Sequence, residues 1–243
     1  MERVVFDRVA ELDQLHWWFL ARRRILEALV KRVVRPSVDA KVLEVGCGTG
    51  HNFAMLGRFG KVDACEPDKC ARALATKRLG RQVRNAKLPD LTMFKRNGYD
   101  LIALLDVLQQ VPDDLAALRA IHMRLKPGGA LLLTVPANAW MWSAHDSAGR
   151  HYRRYSKKQL QQLFLKSGLE VKLLSYFNTM LFPPIALARV IGKVTRREPA
   201  HGRLPAAPAN WLLEKVFGIE RWLLGRLPMP VGVSLVAVVR RPA

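Results

Sequence analysis

Three glycines at alternate positions form the most informative motif in the sequence. The apolar run Val42–Val45 leads directly into Gly46, Gly48 and Gly50, and a helix is predicted to follow. Glycines in such a tight turn let a ligand approach the backbone, and the amide groups of the helix N-terminus face that ligand. Glu66 ends the next predicted strand about twenty residues later, where a carboxylate can accept hydrogen bonds from ribose hydroxyls. The motif therefore predicts a nucleotide-like cofactor.

The spacing of the glycines separates two classes of nucleotide cofactor. Dinucleotide-binding loops follow the pattern GxGxxG, and the sixth position here is His51 rather than glycine. The pattern GxGxG after the acidic Glu44 instead resembles motif I of class I methyltransferases, which use S-adenosylmethionine (SAM). Two further stretches are similar to that family: Asp100–Leu108 to its fourth strand, and Leu125–Leu131 to the turn into its fifth. The resemblance covers roughly residues 40 to 177 and implies SAM as the cofactor.

The resemblance also implies which residues contact SAM. The three loop glycines would line its methionine part, and Glu66 would bind its ribose. Asn85 and Ala86 would approach the adenine, and Asp106 would lie near the amino-acid end or the transferred methyl group. The full implied set is Glu44, Gly46, Cys47, Gly48, Gly50, Glu66, Pro67, Asn85, Ala86, Asp106 and Val107. Relatives often carry Asp at the position of Asn85. They also often carry Glu-His where this chain has Gln109–Gln110, so no general base is predicted at these two glutamines.

A second polar cluster follows the predicted fifth strand of the sheet. His145, Asp146 and His151 lie within about seven residues of one another, at the strand end where open α/β sheets bind ligands. Because an Asp beside a His can orient the ring and raise its basicity, these three residues are the predicted catalytic group. A histidine would act as the base toward a hydroxyl acceptor, and Trp140 and Trp142 could form an apolar wall. No metal site is predicted, since only these three candidate ligands cluster.

This cluster belongs to a longer stretch that resembles a known methyltransferase segment. Residues 145–155 are similar to the HD…GHxRRY segment of a bacterial methyltransferase-11/12-like subgroup, whose His-Trp-Trp-Phe helix also matches residues 16–19. That subgroup is often found among glycan- and lipid-modifying functions. A purely structural interpretation remains open as well. His145 and Asp146 could simply cap a loop, and Arg153–Arg154 could begin a solvated helix.

The elements around these clusters alternate between strand and helix, which predicts a parallel, doubly wound sheet. We therefore expect an α/β, Rossmann-like fold with a seven-stranded, mostly parallel sheet. The predicted strands are Lys41–Gly46, Val62–Glu66, a short strand near Val83, Asp100–Leu105, Ala130–Val135, a strand ending near Tyr176, and Val231–Arg240. Predicted helices run from His51 to Arg58, from Asp68, over residues 113–125 and over Ser156–Ser167. A chain break between helix and strand is predicted at Lys126–Gly129.

Four segments make up the predicted organisation of the chain. They are an N-terminal helical arm at residues 1–36, the SAM-binding core at 37–177, a helical insertion at 178–230 and the final strand at 231–243. The insertion contains two hydrophobic helices, near residues 179–194 and 209–226, joined by a basic, Pro-rich link around Arg196–Pro208. It is far longer than an ordinary connection between strands, which indicates a functional role. We expect it to pack above the cofactor cleft.

The second helix of the insertion has a wide apolar face that suits one of two roles. That face comprises Trp211, Leu212, Val216, Ile219, Trp222 and Leu223, with Glu214 and Arg221 opposite. Positive charge alongside comes from Arg189, Lys193, Arg196, Arg197 and Arg203. Aromatic residues with a basic border suit contact with an anionic membrane surface, and an ordinary lid over the active site is the alternative. The predicted acceptor is a small or lipid-linked molecule.

The charge of the chain leaves other functions to be weighed. Its 243 residues carry 40 Lys and Arg against 20 Asp and Glu, a formal charge of +20. Nucleic acid, an anionic membrane or an acidic substrate would each account for this excess. An RNA methyltransferase is one alternative, although Leu105–Leu108 differs from the Asn/Asp-Pro-Pro-aromatic motif of many base-amine methyltransferases. An NAD-binding oxidoreductase is the other alternative. The absence of a Tyr-x-x-x-Lys motif from the sequence argues against a short-chain dehydrogenase.

Composition and cysteine usage predict a globular protein of a reducing compartment. Hydrophobic residues make up 50% and charged residues 25%, which excludes a disordered tail or a disulfide-stapled miniprotein. Cys47, Cys65 and Cys70 form an odd set without a CxxC motif, so reduced thiols and a cytoplasmic location are expected. The N-terminus lacks the apolar core of a signal peptide, and no run of about 18 apolar residues predicts a spanning helix. Peripheral contact with the inner membrane belongs to this prediction, and the oligomeric state stays open.

Overall fold

A computed structural model of the chain describes residues 10–195 and 204–243, apart from the side chain of His145. Its central sheet is ordered β2–β1–β3–β4–β6–β5. The strands are β1 Ala40–Val45, β2 Gly60–Cys65, β3 Tyr99–Leu105, β4 Leu125–Pro136, β5 Glu170–Phe177 and β6 Ser234–Arg240. The first four strands in this order run parallel, whereas β6 is antiparallel to both β4 and β5. The predicted α/β fold with a mostly parallel sheet is confirmed.

The described sheet has six strands rather than the predicted seven. The short strand expected near Val83 is reduced to a single bridge, in which Arg84 pairs with Cys65. The chain break predicted at Lys126–Gly129 is also wrong, because these residues lie within β4. Gly128 N–H donates to the carbonyl of Arg241, which ties this stretch to the end of the chain at 3.0 Å.

The helices cover both faces of the sheet. They are α1 Trp17–Leu29, α2 Phe53–Leu56, α3 Lys69–Leu79, α4 Asp114–Arg124, α5 Ala144–Ala148, α6 Lys157–Lys166, α7 Phe182–Thr195, α8 Ala207–Gly218 and α9 Glu220–Leu223. One turn of 3-10 helix lies at Leu108–Gln110 and another at Ala139–Met141. The helix predicted from His51 to Arg58 is shorter than expected. In the N-terminal arm, a turn at residues 13–16 separates helical residues 10–12 from the helix that begins at Trp17.

The core consists of two apolar layers separated by the sheet. Leu101, Ala103 and Leu105 of β3 face the layer that also contains α1 and the insertion, and Ile102 and Leu104 face the layer beneath α4 and α6. All five side chains are buried, as expected for a parallel strand covered on both faces. β3 is thereby held rigidly at the centre of the sheet, between β1 and β4.

The first helix packs against both the sheet and the insertion. The side chain of His16 caps α1 by accepting a hydrogen bond from Trp18 N–H at 3.2 Å. After Leu29 the helix continues as a π-helix over Val30–Val34 and ends at Arg35, whose φ of 50° lies in the left-handed region. Helices α8 and α9 contact α1, and Phe217 of α8 also meets Phe177 of β5, with ring centroids 6.0 Å apart.

A buried carboxylate fastens the insertion to the sheet. Glu220, at the start of α9, is fully buried and accepts hydrogen bonds from the backbone N–H groups of Asn178, Thr179 and Met180 at 2.6–3.0 Å. Burial raises the pKa of Glu220 above its ordinary value, although these three hydrogen bonds act in the opposite direction. The two ends of the insertion therefore meet directly after β5.

Helix α7 extends from this anchor toward the segment after β4. The rings of Trp140 and Phe182 meet edge to face with centroids 6.2 Å apart, and the ammonium of Lys193 donates to the carbonyl of Trp140. None of the described helices is long and apolar enough to cross a membrane. Arg196, Arg197 and Arg203 of the predicted basic link lie outside the described residues.

Candidate functional site

The glycine loop leaves the carboxyl end of β1 in a conformation that favours glycine. The φ angles of Gly46, Gly48 and Gly50 are 69°, 54° and 81°, a region that residues with a Cβ rarely adopt. A Cβ at Gly46 would lie 2.7 Å from Cγ2 of Val107, which follows β3. A Cβ at Gly48, in contrast, would meet no atom of the described chain within 4 Å. Gly48 therefore borders open space on the loop, as a ligand cleft requires.

Glu66 joins the glycine loop to the start of α3. Its carboxylate accepts hydrogen bonds from Gly48 N–H and from Asp68 N–H, each at 2.9 Å. Only 8% of the residue is exposed, and burial raises the pKa of its carboxyl despite these two bonds. The predicted ribose-binding carboxylate is thus next to the loop that would carry the methionine part of SAM.

A second buried carboxylate lies within β1, below the loop. Glu44 is 1% exposed and accepts a hydrogen bond from the amide of Asn52 at 2.7 Å. Its second oxygen has no hydrogen-bond partner among the described residues. Burial raises the pKa of Glu44 to about 8, with the Asn52 bond and the charge of Arg22 acting against the rise. The folded protein therefore holds this carboxyl protonated to unusually high pH.

Asp106 and Arg22 form an ion pair at the carboxyl end of β3. Nη2 of Arg22 lies 2.6 Å from Oδ2 of Asp106 and 2.8 Å from Oγ1 of Thr134 in β4. The guanidinium also lies over the ring of Trp18, 4.9 Å from its centroid. Arg22 is buried, and its Nε has no hydrogen-bond partner in the part of the chain that the structure describes. An orphaned cationic donor in this cleft fits an anionic group such as the carboxylate of SAM.

The N-terminal arm reaches the other side of the glycine loop. Asp13 is 1% exposed and accepts hydrogen bonds from Arg78 of α3 at 2.6 Å and from the hydroxyl of Thr49 at 3.3 Å. Arg23 donates to the carbonyl of Asp13 at 2.8 Å. The arm is therefore tied both to the loop and to the helix that follows Glu66.

The predicted adenine-side residues are more exposed than the rest of the site. The guanidinium of Arg72 donates to the carbonyls of Glu66 and Pro67, both at 2.8 Å, and to the side-chain oxygen of Asn85 at 3.2 Å. Asn85 and Pro67 are exposed and Ala86 is partly buried. The turn after β2 and the Asn85 loop are thus held side by side, at the place where the adenine is expected.

The structure assigns very different surroundings to the members of the predicted catalytic group. Asp146 is fully buried, and Oδ1 lies 2.9 Å from Nδ1 of His151. Arg154 adds a bidentate ion pair at 2.9–3.0 Å, and Ser143 donates through its N–H and hydroxyl. Burial alone would raise the pKa of Asp146, but these bonds outweigh it and hold the pKa well below its usual range. The side chain of His145 lies outside the described residues.

The segment carrying His151 is fastened to the segment after β3. Tyr152 N–H donates to the carbonyl of Gln109 at 2.8 Å, and Arg153 forms an ion pair with Asp114 at 2.7 Å. Arg154 also donates to the carbonyl of Ala137 at 3.0 Å. The interpretation of Arg153–Arg154 as a solvated helix start is wrong for Arg154, which is buried and paired. His151 is consequently held at the edge of the sheet that also carries Asp106.

The structure brings several of the predicted site residues together and places further residues beside them. The structure brings together the glycine loop, Glu66 and the Asp106–Val107 segment, while the bond to Gln109 fixes His151 nearby. Arg22, Asp13 and Asn52 were not predicted. No three His, Cys, Asp or Glu side chains of residues 10–195 and 204–243 are arranged to hold a metal ion.

The fold and this site together define an α/β protein of the class I methyltransferase type, with the glycine loop at the switch between β1 and β3. A model of the methyltransferase domain family matches residues 18–174, more than half of the chain. The chain therefore belongs to the methyltransferase domain family. The predicted enzyme class and its cofactor, SAM, are confirmed at the level of that family. The finer subgroup, with its His-Trp-Trp-Phe helix, stays a prediction.

Curated relatives match about half of their own length. Trans-aconitate 2-methyltransferase from Deinococcus radiodurans is 35% identical over 141 residues, which cover 56% of this chain and 50% of that protein. Ubiquinone biosynthesis O-methyltransferase from Xanthomonas campestris is 36% identical over 116 residues, which cover 45% of this chain and 47% of that protein. The chain thus spans about half the length of the curated relatives it matches.

A solved structure supports the fold. Geranyl diphosphate C-methyltransferase from Streptomyces coelicolor, determined with S-adenosylhomocysteine, superposes with a TM-score of 0.60. The match covers 89% of this chain and 78% of that one at 14% sequence identity. At this identity the likeness concerns the fold alone.

Proposed function

We propose that this chain transfers the methyl group of SAM to a hydroxyl of a small, hydrophobic or lipid-linked acceptor. The observation that carries the proposal is the Asp146–His151 pair, fixed beside the segment that follows Asp106. SAM supplies a methyl group on a sulfonium, which is already activated for in-line displacement. The chain has to align the acceptor, exclude water and, for a hydroxyl, accept its proton.

The cofactor would be held by the residues already described around the glycine loop. Gly48 borders open space, Glu66 offers carboxylate oxygens beside it, and Arg22 presents a buried cation with an unsatisfied donor. These features fit the amino-acid end and ribose of SAM. The contacts of Glu44, Cys47, Pro67, Asn85, Ala86 and Val107 with SAM stay part of the proposal.

His151 is the proposed base. With Nδ1–H donating to Oδ1 of Asp146, the neutral ring has its basic nitrogen at Nε2. Asp146 would act as a positioning residue, because its carboxylate is fully buried and already bound by Arg154 and Ser143. The proton of the acceptor hydroxyl would pass to His151 as its oxygen bonds the methyl carbon, whose bond to the sulfonium sulfur breaks so that S-adenosylhomocysteine leaves. His145, the other predicted base, is included in the test below.

An apolar acceptor fits the neighbourhood of this pair. Trp140 is 46% exposed, and its ring contacts Phe182 at the start of the insertion. The relative from Xanthomonas campestris is an O-methyltransferase of ubiquinone biosynthesis, whereas the relative from Deinococcus radiodurans is a trans-aconitate methyltransferase. The name of the first relative favours a hydroxyl acceptor, and the name of the second favours a different acceptor, trans-aconitate. Assays with each kind of acceptor can separate these two possibilities.

The insertion would place the enzyme at an anionic membrane surface from the cytoplasmic side. Its described helices expose large apolar side chains, with Trp211 58% and Trp222 56% exposed. Each of these indoles is accompanied by a cation, Lys215 at 5.8 Å and Arg221 at 4.7 Å from the ring centroid. Further exposed apolar residues of the insertion are Leu187, Val190, Ile191, Val194, Leu212 and Ile219. Such a surface is typical of an interfacial contact.

The charge of this surface is complementary to anionic lipid. Both acidic side chains of the described insertion are engaged within the protein, Glu214 by Arg24 and Glu220 by backbone N–H groups. Lys193, Lys215 and Arg226 are exposed, so the outward charge is positive. A lid over the cleft remains compatible with the contact between α7 and Trp140.

Methyl transfer to defined acceptors tests the proposed chemistry. The enzyme is given SAM labelled in its methyl group and either a long-chain alkylcatechol or trans-aconitate. We expect label in the catechol, and we expect His151→Ala, or His145→Ala if that residue is the base, to lower kcat by about 10²–10⁴-fold. SAM affinity should be nearly unchanged, and His122→Ala on α4 is the matched control. Turnover of trans-aconitate alone, unaffected in both variants, would contradict a hydroxyl acceptor and a histidine base.

Binding to vesicles tests the proposed location. Binding to phosphatidylglycerol vesicles should fall as salt rises, since salt screens the basic residues, and binding to phosphatidylcholine alone should be weak. Replacing Trp211 and Trp222 by Ala should reduce binding, whereas Leu165→Ala, an exposed apolar residue of α6, should not. Absence of binding to both kinds of vesicle at every salt concentration would contradict the membrane location but leave the proposed chemistry unaffected.

A further inference from the structure

Helix α1 contacts both the helices of the insertion and residues at the cofactor cleft. Toward the cleft it sends Arg22, which bonds Asp106 at 2.6 Å and Thr134 at 2.8 Å. The same helix contacts α8 and α9. A single helix therefore touches both the proposed cofactor site and the proposed membrane surface.

The contacts between α1 and α8 are specific at the N-terminal end of α1. Asn210 accepts a hydrogen bond from Trp17 N–H and donates one to the carbonyl of Leu15, both at 2.9 Å. The rings of Trp17 and Phe217 meet edge to face with centroids 5.9 Å apart. Asn210 thus bonds the backbone on both sides of the capping residue His16, and it fixes where α1 begins.

The π-helix that continues α1 is held in a similar way. Arg32 donates to the carbonyls of Leu224 and Arg221, which lie at the end of α9 and within it. Arg24, in the middle of α1, pairs with Glu214 of α8. The helices that present Trp211 and Trp222 to solvent therefore contact α1 at its start and in its middle, and also contact the π-helix that continues it.

The position of α1 against the sheet leaves polar groups unsatisfied. Arg22 Nε and Arg23 Nη1 are buried and lack hydrogen-bond partners in the described part of the chain. Burying such donors is unfavourable. The seated position of α1, in which Arg22 pairs with Asp106, therefore requires stabilisation by other contacts. Packing of α8 and α9 against α1 supplies part of this stabilisation, and an anionic cofactor group beside Arg22 would supply another part. Two sites that stabilise the same position of one element are thermodynamically coupled.

We propose that docking of α8 and α9 on an anionic membrane tightens cofactor binding, because both events stabilise the seated position of α1 and of Arg22. The inference rests on the membrane location proposed above and adds regulation of the cofactor site. Linkage requires the reverse effect as well, so bound cofactor must strengthen vesicle binding by the same factor. The enzyme would thereby be loaded with SAM mainly where its acceptor is found.

Calorimetry with S-adenosylhomocysteine in the presence and absence of phosphatidylglycerol vesicles tests the coupling. Vesicle binding is measured separately by co-sedimentation. For the wild-type chain we expect Kd to fall by about fivefold or more when vesicles are present. Asn210→Ala should bind vesicles as well as the wild type but lose most of this gain. Asn210→Asp, which keeps the acceptor for Trp17 N–H, should be intermediate, and Gln161→Ala on α6 should behave like the wild type.

The outcomes separate failure of the coupling from failure of the proposed location. If vesicles bind but the Kd for S-adenosylhomocysteine is unchanged, the coupling is overturned and the membrane location stands. If Asn210→Ala shows the full decrease in Kd, the coupling does not run through Asn210, and that part of the proposal is overturned. Absence of vesicle binding would overturn the location and the inference together. Hydrogen exchange without lipid gives an independent readout: S-adenosylhomocysteine should protect amides of residues 207–223, and binding without such protection would also overturn the coupling.

Discussion

Nη2 of Arg22 lies 2.6 Å from Oδ2 of Asp106, and this ion pair joins the N-terminal helix to the end of the central strand. The guanidinium side is almost completely buried, whereas 28% of the Asp106 side chain is exposed toward the cleft. Asp106 itself has a φ of 59°, so its backbone is held in the left-handed region. The pair consequently positions a cation and a carboxylate where the amino-acid end of SAM is expected.

Removing the cation of this pair should destabilise the fold. Arg22→Ala leaves the partly exposed Asp106 and the Thr134 hydroxyl without their partner, and loss of a hydrogen bond to a charged group costs about 1.5–3 kcal/mol. We expect the free energy of unfolding, measured by urea denaturation, to fall by about that amount. Lys172→Ala breaks an exposed pair with Glu170 and should change it by less than about 1 kcal/mol. Equal effects of the two variants would contradict a buried, structural pair.

Arg22 could have been recognised from the sequence. Trp18, Arg22, Ile25 and Leu29 follow one another at helical spacing, so Arg22 is a charged residue within the apolar stripe of α1. Buried charges in such positions are paired, which should have predicted a carboxylate partner. The identity of that partner could not be predicted, because Asp106 is 84 residues away and only the tertiary fold brings them together.

The raised pKa of Glu44 predicts a specific pH dependence of stability. An unfolded Glu loses its proton near pH 4.5, whereas folded Glu44 keeps it to about pH 8. The unfolded state therefore binds fewer protons in this interval, and the stability that Glu44 contributes is lost as pH rises, by an amount on the order of a few kcal/mol. Compared with the wild type, Glu44→Gln should gain relative stability between about pH 5 and pH 8.

Urea denaturation of both chains across this interval measures the difference directly. Glu170→Gln replaces an exposed carboxylate and serves as the control, which should run parallel to the wild type. If the curves of Glu44→Gln and the wild type also run parallel, Glu44 is ionised at neutral pH and its pKa is not raised.

Glu66 should contribute to cofactor affinity through both ends of its carboxylate. Glu66→Ala removes the acceptor for Gly48 N–H and Asp68 N–H and the proposed ribose contact, so SAM binding should weaken by about 1–3 kcal/mol. Glu66→Gln retains a carbonyl oxygen and should lose less. Titration calorimetry of both variants decides the point. Unchanged affinity in Glu66→Ala would mean that the residue supports the loop without touching the cofactor.

The ion pair of Arg154 and Asp146 should hold the His151 segment in place. Arg154→Met leaves a fully buried carboxylate without its bidentate partner, which should lower the free energy of unfolding by about 3–5 kcal/mol at neutral pH. Its loss should also raise the pKa of Asp146. Because a depressed carboxyl pKa stabilises the fold only above that pKa, acid unfolding of the variant should begin at higher pH than in the wild type. Acid titration followed by circular dichroism measures this, and coincident transitions would contradict it.

The strands were largely predictable because their apolar runs are local signals. β1, β2 and β3 each begin or end within two residues of the predicted bounds. The strand expected near Val83 and the break at Lys126–Gly129 depended on contacts that local pattern does not contain. Within the described residues the first forms a single bridge, between Arg84 and Cys65, and the second exchanges backbone hydrogen bonds with Arg241.

Binding of SAM at the glycine loop is the central claim, and Gly48 tests it most directly. A side chain at Gly48 would enter open space without touching the described protein, and Gly80, at the end of α3, shares both its positive φ and its lack of neighbours within 4 Å. Backbone strain from valine should thus be similar at the two positions. Titration calorimetry should show that the wild type and Gly80→Val bind SAM and S-adenosylhomocysteine but not NAD, and that Gly48→Val binds none of them. Binding of NAD without SAM, or SAM affinity in Gly48→Val equal to that of Gly80→Val, would contradict the account.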